Sequence, residues 1–285
     1  HGVSAHAAGD PENGRSALDA VELMNTGVQY LREHMTSDCR VHYAIIDAGG
    51  VSPNVVQSEA SVLYMVRANK VRDSIALLKR VDKIAQGAAL MTETSFDRQF
   101  IDGTAELVPN YTLEALLYRI FNEVGLPEYT DGERQLAEAL RRTYELHAAP
   151  GIAAGFDADI AADVAERTNG LQDALCGFIM PEYHSAGFVA GSTDVGDVSW
   201  QTPAAQVHCV TFPFGAAGHS WQNVSCGGTS LGHKGLINAA KIIACAAIEL
   251  MDDPETLQKA RDEFARRTRS GYVCPIEPDA VPTAI

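Results

Sequence analysis

Two histidines set among small residues are the side chains best suited to chemistry in this sequence. His6 lies between Ala5 and Ala7-Ala8, just ahead of Asp10-Pro11 and a helix start. His219 lies in Gly-Ala-Ala-Gly-His-Ser-Trp-Gln, residues 215–222. Glycine and alanine before His219 let backbone approach closely and leave the imidazole open. It could ligate a metal through one nitrogen, or sit in its loop and pack on Trp221. One imidazole does not make a metal site, which needs three or four ligands. His6 could polarise a carbonyl oxygen as a hydrogen-bond donor, or be an ordinary surface histidine.

Arg67 closes an apolar run on the face of Leu63 and Met65. A guanidinium there needs an anion. Its planar fork suits a carboxylate, either of a substrate or of this protein's own Asp or Glu. Asn54, after Pro53, is a turn residue or a polar contact to an amide. Ser-Thr-Asp-Val-Gly-Asp-Val-Ser-Trp, residues 192–200, gathers Asp194, Asp197 and two hydroxyls beside a tryptophan. Those carboxylates could do acid–base or metal work, or cap a helix and hold a loop. His34, His42, His147, His184, His208 and His233 match no ligand spacing. H-E-x-x-H, G-x-S-x-G and Walker motifs are absent.

The elements that must position these residues follow from periodicity. From Gly14 to Met35, Leu18, Val21, Met24, Val28, Leu31 and Met35 recur at three and four, the stripe of an amphipathic helix. Residues 41–46 and 61–67 alternate and read as strands, with Gly49-Gly50 and Ser52-Pro53-Asn54 turning between them. A helix follows with Val71, Ile75, Leu78, Val81, Ala85 and Ala88 on one face, and 92–100 reads as a third strand. One more strand in front would complete a ferredoxin-like split βαβ unit, so the pattern predicts chain upstream of His1. Beyond Pro109, helices are expected at 112–124 and 132–147, the second opened by a Thr130/Glu133 capping box. An irregular Gly- and Ala-rich stretch from 150 to about 230 contains a predicted strand at 206–212. Helices at 229–251 and after Asp253-Pro254 close the chain. The domain break is expected near 105–110, giving a lid over 1–106 and a second domain over 107–285.

The chain has 285 residues, 46% of them apolar, and a net charge of −15. That length suits one large domain or two ordinary ones. The charge argues against nucleic acid and anionic membrane surfaces as partners. No apolar run reaches the roughly 18 residues a membrane span needs. Six cysteines, scattered without C-x-x-C spacing, suggest reduced thiols in a cytoplasmic protein.

The segments GVSAHAAGDPENGRSALDAV, GGVSPNVVQSEASVLYMVR, ALMTET, STDVGDVSW, GHSWQ, TSLGHKG and YVCPI occur in that order. Together they resemble the aminobenzoyl-glutamate utilisation protein B group, amidohydrolases of the dinuclear-metal aminoacylase and carboxypeptidase superfamily. The resemblance implies an α/β fold class. In it a ferredoxin-like (α+β) dimerisation lid, here without its first strand, precedes the C-terminal half of a mixed-sheet metallohydrolase catalytic domain. It implies two divalent metal ions, Zn or Mn, with most ligands and the catalytic glutamate in an N-terminal half that this stretch lacks. By position, His219 is the metal ligand of the C-terminal half. His6 is the lid histidine that reaches a partner subunit's site and polarises the scissile carbonyl. Asn54 and Arg67 bind substrate, with Arg67 on its carboxylate. The group writes threonine where Ser220 stands. Asp194 and Asp197 receive no role. The implied activity is hydrolysis of a small acidic amide by a homodimer, or by a heteromer with a related subunit. The stretch by itself would then be inactive and poorly soluble. The alternative is a non-catalytic subunit that lends its lid residues to a complete partner.

Overall fold

The computed structural model describes residues 1–146, 158–170, 172–184 and 191–282. His147 lies outside them. In chain order the elements are α1 (Ala17–Leu31), β1 (Arg40–Asp47), β2 (Ser61–Arg67), α2 (Val71–Thr92), α3 (Tyr111–Val124), α4 (Asp131–Arg141), α5 (Ala158–Arg167), α6 (Val195–Ser199), α7 (Trp221–Gly227), α8 (Ser230–Asp252) and α9 (Pro254–Arg267). They form two compact units. The first holds His1–Glu106, Ala190–Asp197 and Tyr272–Ile285; the second holds Leu107–Val189 and Val198–Gly271.

In the first unit, the Ser16 hydroxyl accepts the Asp19 N–H and starts α1. Val21, Val28 and Leu31 bury one face of that helix. β1 and β2 pair antiparallel, with Val41 opposite Val66 and Tyr43 opposite Tyr64. Because strand side chains alternate, Val41, Tyr64 and Val66 fall on one face and join Val28, Leu31, Leu77 and Val81 in a single core. The Arg32 guanidinium donates to Val41 O at 2.7 Å and ties the end of α1 to β1. Gly49, just past β1, holds φ at +81°, and a Cβ there would come within 2.4 Å of Glu59 O. The result is a two-stranded sheet covered by two helices, a helix-rich α/β lid of the expected class.

Residues 92–100 do not form the expected third strand. α2 runs on to Thr92, whose hydroxyl donates to Ala88 O, and Glu93 ends the helix at φ +53°. Beyond it, Ser95 exchanges both backbone hydrogen bonds with His1, at 2.8 and 3.0 Å. A strand needs a ladder of such pairs, and the sheet among the described residues holds only β1 and β2.

In the second unit α3 packs on α8 and α9, and α7 packs on α8. The capping box of α4 is present, with Thr130 N–H donating to Glu133 and Glu133 N–H to the Thr130 hydroxyl. That helix ends at Arg141, earlier than its periodicity suggested. Lys234 donates to the Glu133 carboxylate at 2.7 Å, and this bond first of all holds its pKa down at about 2. Residues 206–212 are extended but belong to no sheet. Their alternation has another cause. Val207 and Cys209 pack against the Leu116, Ile120, Ile242 and Ala246 cluster, while Val210 and Phe212 pack against the cluster containing Ala137 and Leu231. An extended segment between two cores shows the same pattern as a strand. Among the described residues no helix is long and apolar enough to cross a membrane.

Candidate functional site

His6 is held by backbone pairing. Val56 N–H donates to Ala5 O at 2.9 Å, Ala7 N–H donates to Asn54 O at 2.9 Å, and His6 bridges Val55. The ring is fixed by its own loop: Ala8 and Gly9 N–H both donate to His6 Nδ1, at 3.2 and 2.9 Å. A nitrogen that accepts hydrogen bonds carries no proton, so a neutral ring has its N–H on Nε2. The side chain is exposed. The result is an oriented donor beside an anchored turn.

Asn54 sits in that turn, closed by the Val55 N–H donating to Ser52 O at 3.2 Å. Its carbonyl serves the His6 loop, and its side chain is exposed. His6 and Asn54 are therefore neighbours through the backbone.

Arg67 ends β2 and is half-buried. Its Nε and Nη2 donate to Met65 Sδ at 3.2 and 3.0 Å, and Nη1 donates to Ser192 Oγ at 3.3 Å. The sequence did not single out Ser192, which stands 125 residues further along the chain. The available signal was its place at the head of the Ser-Thr-Asp motif. In the same motif Asp197 takes a structural part. Its carboxylate accepts Ala105 N–H at 3.0 Å and the Tyr272 hydroxyl at 2.7 Å. That second bond, with burial behind it, raises the Tyr272 pKa. The Asp194 carbonyl accepts Asp197 N–H in the turn into α6.

His219 belongs to the second unit, in an exposed turn ahead of α7. Ser220 caps α7 by accepting Asn223 N–H and donates to Ala217 O at 2.8 Å, while Asn223 Nδ2 donates to Gly218 O at 3.1 Å. These bonds flank the imidazole without engaging it. Upstream, Gly215 adopts φ +77°, and a Cβ there would lie 2.2 Å from Leu146. Among the described residues no group of three or more His, Cys, Asp or Glu side chains is placed to hold a metal ion. His219 offers one imidazole, so these residues do not by themselves make a metal centre.

Residues 1–92 match the peptidase dimerisation domain family. Along its whole length the chain is 40% identical, over 291 residues, to a p-aminobenzoyl-glutamate hydrolase subunit of Escherichia coli (strain K12), and covers 60% of that protein. It is 27% identical over 270 residues to Xaa-Arg dipeptidase of Mus musculus, an alignment that covers 93% of this chain and 49% of the dipeptidase. The chain thus spans about half the length of the relatives it matches. A solved structure, an aminobenzoyl-glutamate utilization protein from Klebsiella pneumoniae, aligns with 44% of this chain and 31% of its own at 26% identity, with a TM-score of 0.37.

Proposed function

On the premise that this chain is a relative of the p-aminobenzoyl-glutamate hydrolases, we propose that the protein hydrolyses the amide bond of p-aminobenzoyl-glutamate or a similar N-acyl acidic amino acid. The observation that carries this reading is the His6 ring. Two backbone N–H groups occupy Nδ1, which leaves Nε2–H as a donor aimed away from its own loop. A donor fixed in advance needs no reorganisation when negative charge develops on the amide oxygen. Arg67 would hold the substrate carboxylate on its guanidinium, and the Asn54 side chain would contact the amide. Together they fix the register of the scissile bond.

The proposal includes dependence on two divalent ions, zinc or manganese, with His219 supplying one ligand. Ions of that kind supply Lewis acidity when bound. The other ligands and the proton-accepting glutamate are placed outside residues 1–285, in keeping with the greater length of the relatives. Residues 1–92 would pair with a second copy or a related protein, and His6 would then serve the partner's site.

The test is release of p-aminobenzoate from p-aminobenzoyl-glutamate by the full-length protein with Mn²⁺ or Zn²⁺, alongside His6→Ala. The variant should lose on the order of 10² to 10³ in kcat with little change in KM. Failure of the wild-type protein to cleave any N-acyl amino acid would overturn the reading. The single imidazole of His219, together with the bacterial relative's being one subunit of a hydrolase, supports a second reading. In it the chain is a non-catalytic component that lends His6 and Arg67 to a complete partner. A start codon directly ahead of His1 would favour that reading. An upstream reading frame that encodes a ligand set would favour the hydrolase.

A further inference from the structure

In the first unit, the end of α1, the turn after it and the middle of α2 enclose a shallow open cavity of about 360 Å³. Tyr30, Leu31 and Ile84 give it apolar surface, and His34, Arg80 and Lys83 give it nitrogen donors. The helix repeat brings them together, since Arg80, Lys83 and Ile84 stand three and four apart on α2. Two contacts fix the frame. Ile84 packs on α1 where Gly27 leaves it room, because a Cβ there would lie 2.6 Å from Ile84 Cγ2. Arg80 Nη1 donates to His34 O at 2.7 Å and ties α2 to the turn Arg32–His34. That bond also answers the partial negative charge at the end of α1.

No carboxylate lines the cavity. Glu33 and Asp82, next in sequence to His34 and Lys83, lie outside the lining, and Asp82 faces Arg98 at 3.6 Å. Arg80 spends one N–H on a neutral carbonyl, which leaves the Nε–Nη2 edge of its fork for a planar acceptor. Lys83 is exposed and forms no ion pair among the described residues. In a chain of net charge −15, two cations at one opening lined by no acid make a local site for an anion. Tyr30 is 68% exposed, so most of its ring is left for a ligand to cover. Phosphate would use the cations and leave Tyr30, Leu31 and Ile84 wet. A neutral ring would cover those three and leave the cations unused. A ring that carries a carboxylate uses both sets, and the volume, near the low end of the roughly 300–1,000 Å³ of ligand sites, suits a single ring.

We propose that this cavity binds small aromatic monocarboxylates, with the carboxylate on Arg80 and Lys83 and the ring against Tyr30, Leu31 and Ile84. None of these residues takes part in the reaction proposed above, and the inference does not rest on that reading.

The test is titration of the full-length protein with benzoate, benzamide and inorganic phosphate. Saturation-transfer NMR reads binding to the wild type, and the emission of a Tyr30→Trp variant reads affinity at the cavity itself. Benzoate should bind about tenfold or more tightly than benzamide or phosphate. In the Tyr30→Trp background, Arg80→Gln should weaken benzoate about tenfold. Lys83→Glu places a carboxylate at the opening and should weaken it by at least as much, with benzamide unchanged. Because Arg80 also ties down the turn, the exposed Lys83 carries the test if Arg80→Gln does not fold. Benzamide or phosphate binding as tightly as benzoate would overturn the proposal. So would wild-type affinity in the Lys83→Glu protein, a Tyr30→Trp emission that does not respond to benzoate, or a wild type that shows no saturation transfer to it.

Discussion

Buried polar side chains are divided unevenly between the two units. Among the described residues the first unit buries one, Asn25, and the second buries seven, from Asn110 to Glu263. The lid satisfies much of its backbone by strand pairing and helix bonds, and fills its centre with Val28, Val41 and Val81. The second unit has no ladder among its described residues, so its helix starts and extended segments take side-chain partners instead. Glu263 accepts Tyr111 N–H, Thr112 N–H and the Thr112 hydroxyl, and Arg267 Nε donates to it as well. Asn110 donates to Ala260 O, and Ser199 accepts Val108 N–H. Work done by backbone in one unit is done by carboxylates and amides in the other. Single polar substitutions and acid should therefore weaken the second unit first.

The largest expected effect is at Glu263. Burial pushes its pKa up, yet the Thr112 and Tyr111 N–H groups and Arg267 hold it down at about 2. Glu263→Gln turns an amide NH₂ toward backbone donors and leaves Arg267 without its charge partner. It should cost about 3 kcal/mol, read as a fall in the urea midpoint at constant slope. Val81→Ala in the lid, at a side chain 2% exposed, removes only apolar contact and should cost roughly 1–2 kcal/mol. A larger loss at Val81 than at Glu263 would undo the contrast between the units.

The same division explains what the sequence disclosed. α1 and α2 follow from apolar spacing, α8 matches the helix expected over 229–251, and the Thr130 capping box and the Asp253-Pro254 start of α9 are local signals that the structure keeps. Residues 206–212 misled because alternation reports a segment running between two cores, whereas a strand also needs a neighbour, and residues 92–100 misled because α2 and its left-handed end take the first of them. Polar contacts at a distance left no trace. Ser192 against Arg67 is one case, and Glu263 against the start of α3 is another. So is His184, which fits no ligand spacing yet stacks on Tyr111 at 3.6 Å and faces Glu114 at 3.2 Å. Of the candidate site, His6 and Arg67 could be singled out by residue type and place in the sequence. The backbone bonds that settle the His6 tautomer could not, because they depend on loop geometry rather than on residue type.

Acid should separate the units by sign. Glu133 and Glu263 both sit at about 2, below the ordinary 4.5, so their stabilisation is complete above that ordinary value and is lost as pH falls toward 2. In the lid, burial raises the Asp82 pKa despite Arg98 nearby. That contribution is present in acid and is lost as pH rises through the folded value. Burial also raises Glu114 in the second unit and offsets part of its loss. Hydrogen exchange at about pH 3, corrected for intrinsic rates, should show α4, α9 and the first turn of α3 opening before α1, β1 and β2. Glu133→Gln should flatten the acid response of α4. Earlier opening of the lid hairpin would reverse the assignment of the acid-sensitive unit.

The smallest effect on stability, and the sharpest on behaviour, is expected on α8. Leu231, Ile242 and Ala246 bury one side of this helix, yet Leu236, Ile237, Ile243, Ile248 and Met251 are 52–81% exposed on the other. With Ala240, Ala244 and Ala247 between them, these residues recur at three and four and form one continuous stripe. A helix apolar on both sides is built to be covered on both, and an open stripe of this kind favours association. Ile248→Lys with Met251→Lys should shift the unfolding free energy of residues 1–285 by less than about 0.5 kcal/mol. The same pair should markedly lower dye binding and self-association, measured by 1-anilinonaphthalene-8-sulfonate fluorescence and sedimentation. Lysines at Leu90 and Met91, exposed together at one end of α2, should change association less because no stripe extends from them. Unchanged dye binding in the α8 variant would mean that the stripe is already covered. The two units would then differ only in how they satisfy their buried polar groups, and not in how completely they bury their apolar ones.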